Sequence, residues 1–409
     1  MLLTEGKFLP RAGSVLLTVI LSFVSVGAAS AQGLADSVSR LEREVAALQQ
    51  AVSALEAASQ PLHLTVDCAA GEKVANALER TAGRTGPLTI TIMGTCLESV
   101  AIVSRKDVTI QGASAGDGLQ APNPTENVLS LHRAHNIHLN QLALNSGNTG
   151  VFASDGTSFF ADDITVTDTE TAVSVLLNSV GVLTNSVLDT NQAGLFVPIR
   201  GVLFAQGLLV ANTHGIGVNA DGGFAELRDS QIVNSGGLGL FAQNGGAINF
   251  SHSTVDGGDG VQVNQGGSAN IDFGSVIRNS RRLGVAVHGA SIILADVLIT
   301  DSLETGVGLF NGSRVAFSAG TRIENNGGDG VLLLGGSSIR PEGFTVQNNG
   351  GNGISIADTS VAEMGPSTIV NNAGWGIFCV PAPAVAQIHG DPGTVTGNGA
   401  GQVSCPIVP

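Results

Sequence analysis

Gly-Gly-Asp-Gly-Val-Gln-Val occupies residues 257–263, and close copies of it occupy residues 327–333 and 350–356. In each copy a turn ends in a small residue, and a short apolar segment follows. Looser copies place the small residue at Gly150, Ala172, Gly194, Gly215, Gly239, Gly260, Gly284, Gly306, Gly330, Gly353 and Gly376, at intervals of 21–24 residues. A period of this length, sustained over more than 220 residues, predicts an array of stacked structural repeats.

Each repeat contains three short strand patterns separated by turn residues. The repeat that starts at Gly260 shows them at residues 260–263, 267–271 and 275–279. Alternate residues of these segments are mostly apolar, which predicts that they point into a common core. Solenoids of leucine-rich or hexapeptide type compete with this interpretation. The period, however, has neither a leucine ladder nor a six-residue unit.

Three strands per coil of about 22 residues resemble the right-handed parallel β-helix of the pectate-lyase-like superfamily. The resemblance covers residues 100–404 and rests on the Gly-x-Gly-Val/Ile starts and on asparagines at corresponding turns: Asn191, Asn212, Asn234, Asn279, Asn325, Asn348, Asn371 and Asn398. It implies an all-β solenoid whose stacked Asn side chains hydrogen-bond along the turn.

The chain divides into five predicted segments. They are a signal peptide (1–31), a heptad helix (32–60), an N-terminal cap segment (61–99), the β-helix (100–378) and a C-terminal cap (379–409). Lys7 and Arg11 precede a short apolar run that ends near the small residues Ala29-Ser30-Ala31, which is the pattern of a cleaved export signal. An uncleaved anchor is the alternative. No later stretch has 18 uninterrupted apolar residues, so we expect no further membrane span.

Export makes the four cysteines informative. Cys68 and Cys96 precede the repeats, and Cys379 and Cys405 follow them. We expect the disulfides Cys68–Cys96 and Cys379–Cys405, one at each end of the array, because an oxidising compartment permits them. A shared metal site would need all four thiolates together. We do not expect one, because the two pairs lie at opposite ends of the array.

Residues 34–55 carry a heptad seam with valine at a and leucine at d. Its members are Leu34, Val38, Leu41, Val45, Leu48, Val52 and Leu55. One interpretation is a coiled-coil stalk that makes a homodimer or homotrimer. The other is a single amphipathic helix with the seam as its buried face.

The composition restricts the partners. Asp and Glu number 33 against 18 Lys and Arg, which gives a net charge of −15. Nucleic acid or an anionic membrane surface would need a basic patch, so we expect neither as a partner. The 43% of apolar residues are spread evenly and argue against disorder.

Enzymes of the resembled superfamily use outward-facing carboxylates on one sheet, often with Ca²⁺. The outward positions predicted for the first strand of each coil carry no charge: Phe152, Ser174, Phe196, Gly217, Phe241, Gln262, Ala286, Gly308, Leu332, Ser355 and Phe378. Candidate catalytic residues lie nearby on adjacent coils: Arg200, His214, Asp221, Glu226 and Arg228. Such a group could abstract a proton next to a carboxylate that arginine neutralises. Solvated turn residues are the alternative.

Other motifs are incomplete. Thr213-His214-Gly215 is similar to the Gly-His-Gly of polygalacturonases, but no Arg-x-Lys follows residue 107. His132, His135 and His138 would form a metal face only on a helix, and strand alternation is expected to separate them. We predict no cofactor or metal, since Ca²⁺ is supported by no motif: the nine-residue period of Ca²⁺-binding glycine repeats is missing.

Three functions fit these observations. The leading hypothesis is an exported protein of bacterial type, secreted, periplasmic or on the cell surface, that binds a polysaccharide or another surface component without catalysis. The second is a lyase, epimerase or hydrolase that acts on an acidic glycan near Arg200 to Arg228. The third is an oligomeric structural or adhesin-like spike.

Overall fold

The computed structural model describes residues 31–380 and 386–408. The predicted signal peptide lies outside the described residues, apart from Ala31. The chain forms two compact units, Met1–Gln60 and Pro61–Pro409. Among the described residues no helix is long and apolar enough to cross a membrane.

The first unit contributes helix α1, Ala31–Ser59. Along it, the seam residues Val38, Val45, Leu48, Val52 and Leu55 are exposed, with Leu48 and Leu55 each at 65%. Both interpretations of the seam, a coiled-coil stalk and a single amphipathic helix, stay predictions.

The second unit is an all-β solenoid of three parallel sheets with one short helix, α2 (Val74–Arg80), among its described residues. Sheet A contains β1 (Leu62–Asp67), β2 (Leu88–Met93), β5 (Lys106–Gly112), β8 (His135–Asn140), β11 (Ser158–Asp162), β14 (Val180–Thr184), β17 (Val202–Gln206), β20 (Phe224–Arg228), β23 (Ala247–Ser251), β26 (Ser268–Asp272), β29 (Ser291–Ala295), β32 (Arg314–Ser318), β35 (Ser338–Pro341), β38 (Val361–Met364), β41 (Gln387–Gly390) and β44 (Ile407–Val408). Sheet B contains β3 (Thr95–Leu97), β6 (Gly118–Gln120), β9 (Ala143–Asn145), β12 (Thr165–Thr167), β15 (Val187–Asp189), β18 (Leu209–Ala211), β21 (Gln231–Val233), β24 (Thr254–Asp256), β27 (Val276–Arg278), β30 (Leu298–Thr300), β33 (Arg322–Glu324), β36 (Thr345–Gln347), β39 (Ser367–Val370) and β42 (Gly393–Thr396). Sheet C contains β4 (Val100–Val103), β7 (Leu129–His132), β10 (Thr149–Ser154), β13 (Thr171–Val175), β16 (Ala193–Pro198), β19 (Val218–Asp221), β22 (Leu240–Gln243), β25 (Val261–Asn264), β28 (Val285–His288), β31 (Val307–Phe310), β34 (Val331–Leu333), β37 (Ile354–Ile356), β40 (Trp375–Cys379) and β43 (Gly401–Val403).

Each coil runs from sheet C to sheet A to sheet B, and each strand pairs in parallel with its counterparts in the neighbouring coils. In sheet A, Phe250 pairs with Ile271 and Ile271 with Leu294, and all three are fully buried. Because side chains alternate along a strand, one apolar column faces inward while the next column faces outward. The predicted right-handed parallel β-helix, with three strands per coil, is confirmed.

Small residues recur at the start of sheet C because the chain of the next coil passes close by. A Cβ at Gly353 would lie 2.6 Å from the carbonyl oxygen of Gly376. Gly260 also has φ +77°, a conformation that glycine adopts without strain. The prediction was wrong in one coil: Gly217, not Gly215, stacks against Gly194, and the outward residue there is Asn219. The turn before β19 is therefore two residues longer than the repeat pattern predicted.

The stacked asparagines lie one position later than predicted in the C-terminal coils. Asn326 Nδ2 donates to Asn349 Oδ1 at 3.0 Å, Asn349 Nδ2 to Asn372 at 2.9 Å, and Asn372 Nδ2 to Asn398 at 3.0 Å. These four side chains are buried, and Asn398 was among the predicted residues. Their predicted neighbours are instead exposed turn residues with positive φ: Asn325, Asn348 and Asn371.

The β-helix extends beyond its predicted bounds of 100 and 378. Strand β1 already belongs to sheet A at Leu62, and β41 to β44 continue the three sheets through Val408. Both predicted disulfides are confirmed, Cys68–Cys96 at the first coils and Cys379–Cys405 at the last.

Helix α2 is bonded at both ends to the first coils. The buried Glu98 carboxylate accepts the N–H of Val74 at 2.6 Å and that of Ala75 at 3.1 Å, which satisfies donors that a helix start leaves unpaired. At the other end the Arg105 guanidinium donates to Thr81 Oγ1 at 3.1 Å and to the carbonyl oxygen of Leu78. A carboxylate at the N-terminus and a cation at the C-terminus both suit the helix dipole.

Candidate functional site

A groove crosses the outer face of sheet C at the strands β25, β28 and β31. This sheet-C groove has a volume of about 520 Å³ and is lined by Ile216, Gly237, Leu238, Asp259, Gln262, Arg282, Leu283, Ala286, His288 and Phe310. A second hollow of about 410 Å³ adjoins it and shares Gln262 and His288. The adjoining hollow adds Asn264, Gln265, Gly289 and Asn311 to the lining.

Strand register places two columns of side chains in the groove. Gln262 pairs with Ala286, and Ala286 pairs with Gly308, so one column carries Gln262 and Ala286 in the groove and continues to Gly308. Asn264, His288 and Phe310 form the parallel column two residues further along the strands. A Cβ at position 308 would lie 2.9 Å from Cε2 of Phe310, so the glycine makes room for this ring.

His288 and Phe310 form an aromatic pair on adjacent coils. Their ring centroids are 4.6 Å apart and their planes are inclined by 12°, so the rings are stacked. Both side chains are half-buried. Burial lowers the pKa of His288, which favours the neutral imidazole at pH 7. The pair therefore presents an uncharged ring surface to the groove.

The charged residues of the groove are paired with charges beside it. Arg281 lies 3.1 Å from the carboxylate of Asp259 and also donates to the carbonyl oxygen of Gly236. Arg282 lies 4.0 Å from Glu304 at an exposed position. Asp259 is the single carboxylate among the described residues that line the groove. Its charge is therefore balanced without a ligand.

Amide groups supply the polar part of the surface. Asn264 lines the adjoining hollow, and its Oδ1 is buried with no hydrogen-bond partner among the described residues. A buried acceptor without a donor is unfavourable by about 1–3 kcal/mol.

The five predicted catalytic residues lie in three places. Arg200 and Asp221 belong to the same turn of adjacent coils, where Asn244 Nδ2 donates to Asp221 Oδ1 at 2.6 Å. Glu226 and Arg228 point outward from sheet A and form an ion pair at 2.7 Å. His214 is exposed in the turn before β19, whereas Asp221 ends that strand. The structure thus brings together two pairs and leaves His214 across sheet C from both.

The Glu226–Arg228 pair borders a shallow hollow of about 280 Å³ on sheet A, together with Val182 and Phe204. The pairs stay candidates on geometry alone.

The three predicted histidines of the first coils are also separated. His132 ends a strand of sheet C, where its Nδ1 lies 2.7 Å from Ser154 Oγ, whereas His138 stacks on Phe160 on sheet A with centroids 5.3 Å apart. His135 begins β8 beside Lys106. Among the described residues no group of three His, Cys, Asp or Glu side chains is placed to hold a metal ion.

The sequence pattern did not predict the groove that Gln262, Ala286 and His288 form with Phe310. The available signal was the spacing of 22 residues between His288 and Phe310, which is one coil. The depth of the groove could not be predicted from the repeat pattern, because it depends on how far the neighbouring turns project above the sheet.

Comparisons with known proteins agree with this fold. The family described as "Right handed beta helix region" matches residues 238–390. The periplasmic alginate epimerase AlgG is 11% identical, with 85% of this chain and 82% of that chain covered and a TM-score of 0.38. The catalytic unit of a GH87 α-1,3-glucanase from Streptomyces thermodiastaticus is 12% identical over 83% of this chain and 69% of that chain, with a TM-score of 0.44. The A-module of the Azotobacter vinelandii mannuronan C-5 epimerase AlgE6 is 11% identical over 82% of this chain and 93% of that chain, with a TM-score of 0.34.

No curated protein matches the sequence significantly. At these identities and TM-scores the solved structures support no conclusion about this chain. The repeat pattern, the three parallel sheets and the matched family region identify the chain as a right-handed parallel β-helix protein that resembles the pectate-lyase-like superfamily in its fold.

Proposed function

We propose that this chain is an exported protein that binds a polysaccharide in the sheet-C groove without cleaving it. The observation that carries the proposal is the stacked pair of His288 and Phe310 beside the amides of Gln262 and Asn264. Ligand sites combine apolar ring surfaces with a few polar groups that fix orientation. Sugar rings offer both an apolar face and hydroxyl groups, so they suit this combination.

The charges of the groove favour binding over cleavage. Glycoside hydrolysis usually needs two carboxylates on either side of the scissile bond. Asp259 is a single carboxylate and is paired with Arg281. The competing enzymatic hypothesis places proton transfer at Arg200 and Asp221 or at Glu226 and Arg228, where each carboxylate already has a hydrogen-bond or ion-pair partner.

Export is supported by two observations. Disulfides at both ends of the β-helix are typical of proteins that mature in an oxidising compartment. The predicted signal peptide at residues 1–31 agrees with them. We therefore place the binding function in the periplasm, on the cell surface or in the medium.

A glycan microarray with the wild-type protein and two variants tests the binding function. Phe310→Ala should weaken binding to the selected glycan at least tenfold, or by about 1.4 kcal/mol, because the ring surface is lost. Phe196→Ala removes another half-buried outward ring of sheet C and should bind as the wild type does. The proposal would be overturned if the wild type bound no glycan, or if both variants lost the same amount of affinity. Release of new reducing or unsaturated ends would favour the enzyme.

We also propose that helix α1 joins this chain to further copies of itself, because apolar residues recur along it with heptad spacing. Valine at a with leucine at d favours two-stranded parallel coiled coils. A stalk of this kind fits the spike-like function, and it would give the protein two or more grooves.

Sedimentation of the full chain tests this association. Leu48→Glu should shift the protein to monomer, whereas Gln50→Glu, which adds the same charge off the seam, should leave the assembly intact. A monomeric wild type, or an assembly that survives both substitutions, would contradict the stalk.

A further inference from the structure

A pocket at the N-terminal end of the β-helix carries an unusual concentration of positive charge. It has a volume of about 440 Å³ and lies beside the turn that follows α2. Its lining consists of Gly83, Arg84, Thr85, Gly86, Leu88, Ser104, Arg105, Lys106, Val108, Arg133 and His135. We call this hollow the basic pocket.

Four of the 18 lysines and arginines of the chain line this one hollow, in a protein with a net charge of −15. No ion pair found in residues 31–380 and 386–408 involves Arg105, Lys106, Arg133 or His135. The lining contains no Asp or Glu. The positive charges of Arg105, Lys106 and Arg133 are thus not neutralised by carboxylates of the lining.

Asp107, which lies between the lining residues Lys106 and Val108, and Asp155 of the next coil have partners outside the lining. Asn136 Nδ2 donates to Asp107 Oδ1 at 2.7 Å. In the next coil Ser154 Oγ donates to Asp155 Oδ2 at 3.0 Å, and His132 lies 3.7 Å from the same carboxylate. Neither aspartate completes an ion pair with a cation of the pocket.

Stacked turns hold the cations in place. Lys106 pairs with His135 across two adjacent strands of sheet A, and the His135 N–H donates to the Arg105 carbonyl oxygen at 2.8 Å. The Arg105 guanidinium is held by the end of α2 through Thr81 and Leu78. Burial lowers the pKa of Arg105, which shows that its charge is partly removed from water. An anion in the pocket would compensate the guanidinium for the hydration that it loses on burial.

We propose that the basic pocket binds the oxyanion group of an acidic saccharide, a uronate carboxylate or a sulfate ester. Arginine donors suit planar and tetrahedral oxyanions, and the pocket volume falls in the range of roughly 300–1,000 Å³ of small-ligand sites. The acidic surface of the chain repels long polyanions such as nucleic acid, so a sugar unit with one or a few charges fits better. This site is separate from the sheet-C groove and goes beyond the polysaccharide binding proposed for that groove.

Titration calorimetry of the full chain tests the assignment. The ligands are a galacturonate hexamer, a heparin-derived hexasaccharide and neutral maltohexaose, with sodium sulfate and sodium phosphate as free anions. Lys106→Glu/Arg133→Glu should lower the affinity for an acidic hexamer at least tenfold. Arg314→Glu reverses an exposed charge on the same sheet, eight strands away from β8, and should bind as the wild type does.

Each outcome decides the question. Acidic hexamers that bind the wild type no better than maltohexaose, or that bind the double variant equally well, would overturn the pocket. Free sulfate or phosphate that binds as tightly as the hexamers would reduce the pocket to a free-anion site and overturn the saccharide assignment. Circular dichroism and thermal unfolding check that the double variant is folded. Phe310→Ala, measured in parallel, separates a failure of this pocket from a failure of the groove.

Discussion

The sheet-C groove and the basic pocket are built on different coils of the same β-helix and offer opposite chemistry. The groove presents stacked rings, amides and charges that already have partners, as in the pair Asp259–Arg281. The pocket presents cations, and no carboxylate is among the residues that line it. Inward positions of each coil form the apolar core, while outward positions differ in chemistry from coil to coil.

The two sites also differ in what supports them. The groove lies in the middle of sheet C, where coils on both sides hold its strands. The pocket lies at the first coils, and the segment after α2 forms part of its wall. Hydrogen bonds to Glu98 and Arg105 hold α2 in place. We therefore expect substitutions at the N-terminal end to affect the pocket and spare the groove.

The largest expected effect comes from Glu98→Ala. It removes the acceptor of two buried N–H groups at the start of α2, which should cost about 2–3 kcal/mol. Hydrogen exchange should then become faster in residues 74–81, and affinity for acidic hexamers should fall while glycan binding in the groove persists. Glu79→Ala is the matched control, because it removes an exposed carboxylate from the same helix. Unchanged exchange in the Glu98 variant would contradict the capping role.

A smaller effect, of severalfold, is expected from salt. Raising NaCl from 50 to 500 mM should weaken the binding of acidic hexamers to the pocket, because ions screen exposed charges. Binding in the groove should change little, since its charges are paired within the protein. Titration calorimetry at the two salt concentrations measures both. Equal salt dependence at the two sites would remove the distinction between them.

The smallest effect concerns pH and His288. Burial lowers the pKa of this imidazole below its ordinary value of 6.5. Above pH 6.5 both the folded and the unfolded chain hold it neutral, so it contributes nothing there. As pH falls further, the unfolded chain takes up a proton that the folded chain resists, and stability is lost until pH passes the folded pKa.

Thermal unfolding between pH 7.5 and 5 measures this contribution. The melting temperature of the wild type should fall slightly more on acidification than that of His288→Gln. Phe310→Ala should reduce the difference, because water then reaches the imidazole. An identical pH dependence in the wild type and His288→Gln would show that the imidazole is not desolvated.

Much of the fold could be predicted because it repeats. The glycines that begin sheet C recur every 21–24 residues, so an error in one coil is corrected by its neighbours. The exceptions are local. At His214-Gly215-Ile216-Gly217 two glycines compete for one position, and the longer turn selects Gly217, which approaches Gly239. In Asn325-Asn326 either residue could turn inward, and the left-handed φ of Asn325 assigns the buried position to Asn326.

The sites were less predictable because they combine residues from different parts of several coils. Phe310 and His288 are recognisable as neighbours only when the register of β28 and β31 is known. Lys106 and Arg133 belong to adjacent coils before the clear repeats begin, so their proximity had no periodic signal. Net charge alone concealed the pocket, since a value of −15 averages over the whole chain.

The most direct test of the central claim is a crystal structure of the protein with the glycan selected on the microarray. We predict a sugar ring against Phe310 with a hydroxyl group beside the amide of Gln262, and an intact glycan. A glycan bound at Glu226 and Arg228, or one found cleaved beside Asp221, would contradict the claim that this β-helix binds its ligand in the sheet-C groove without catalysis.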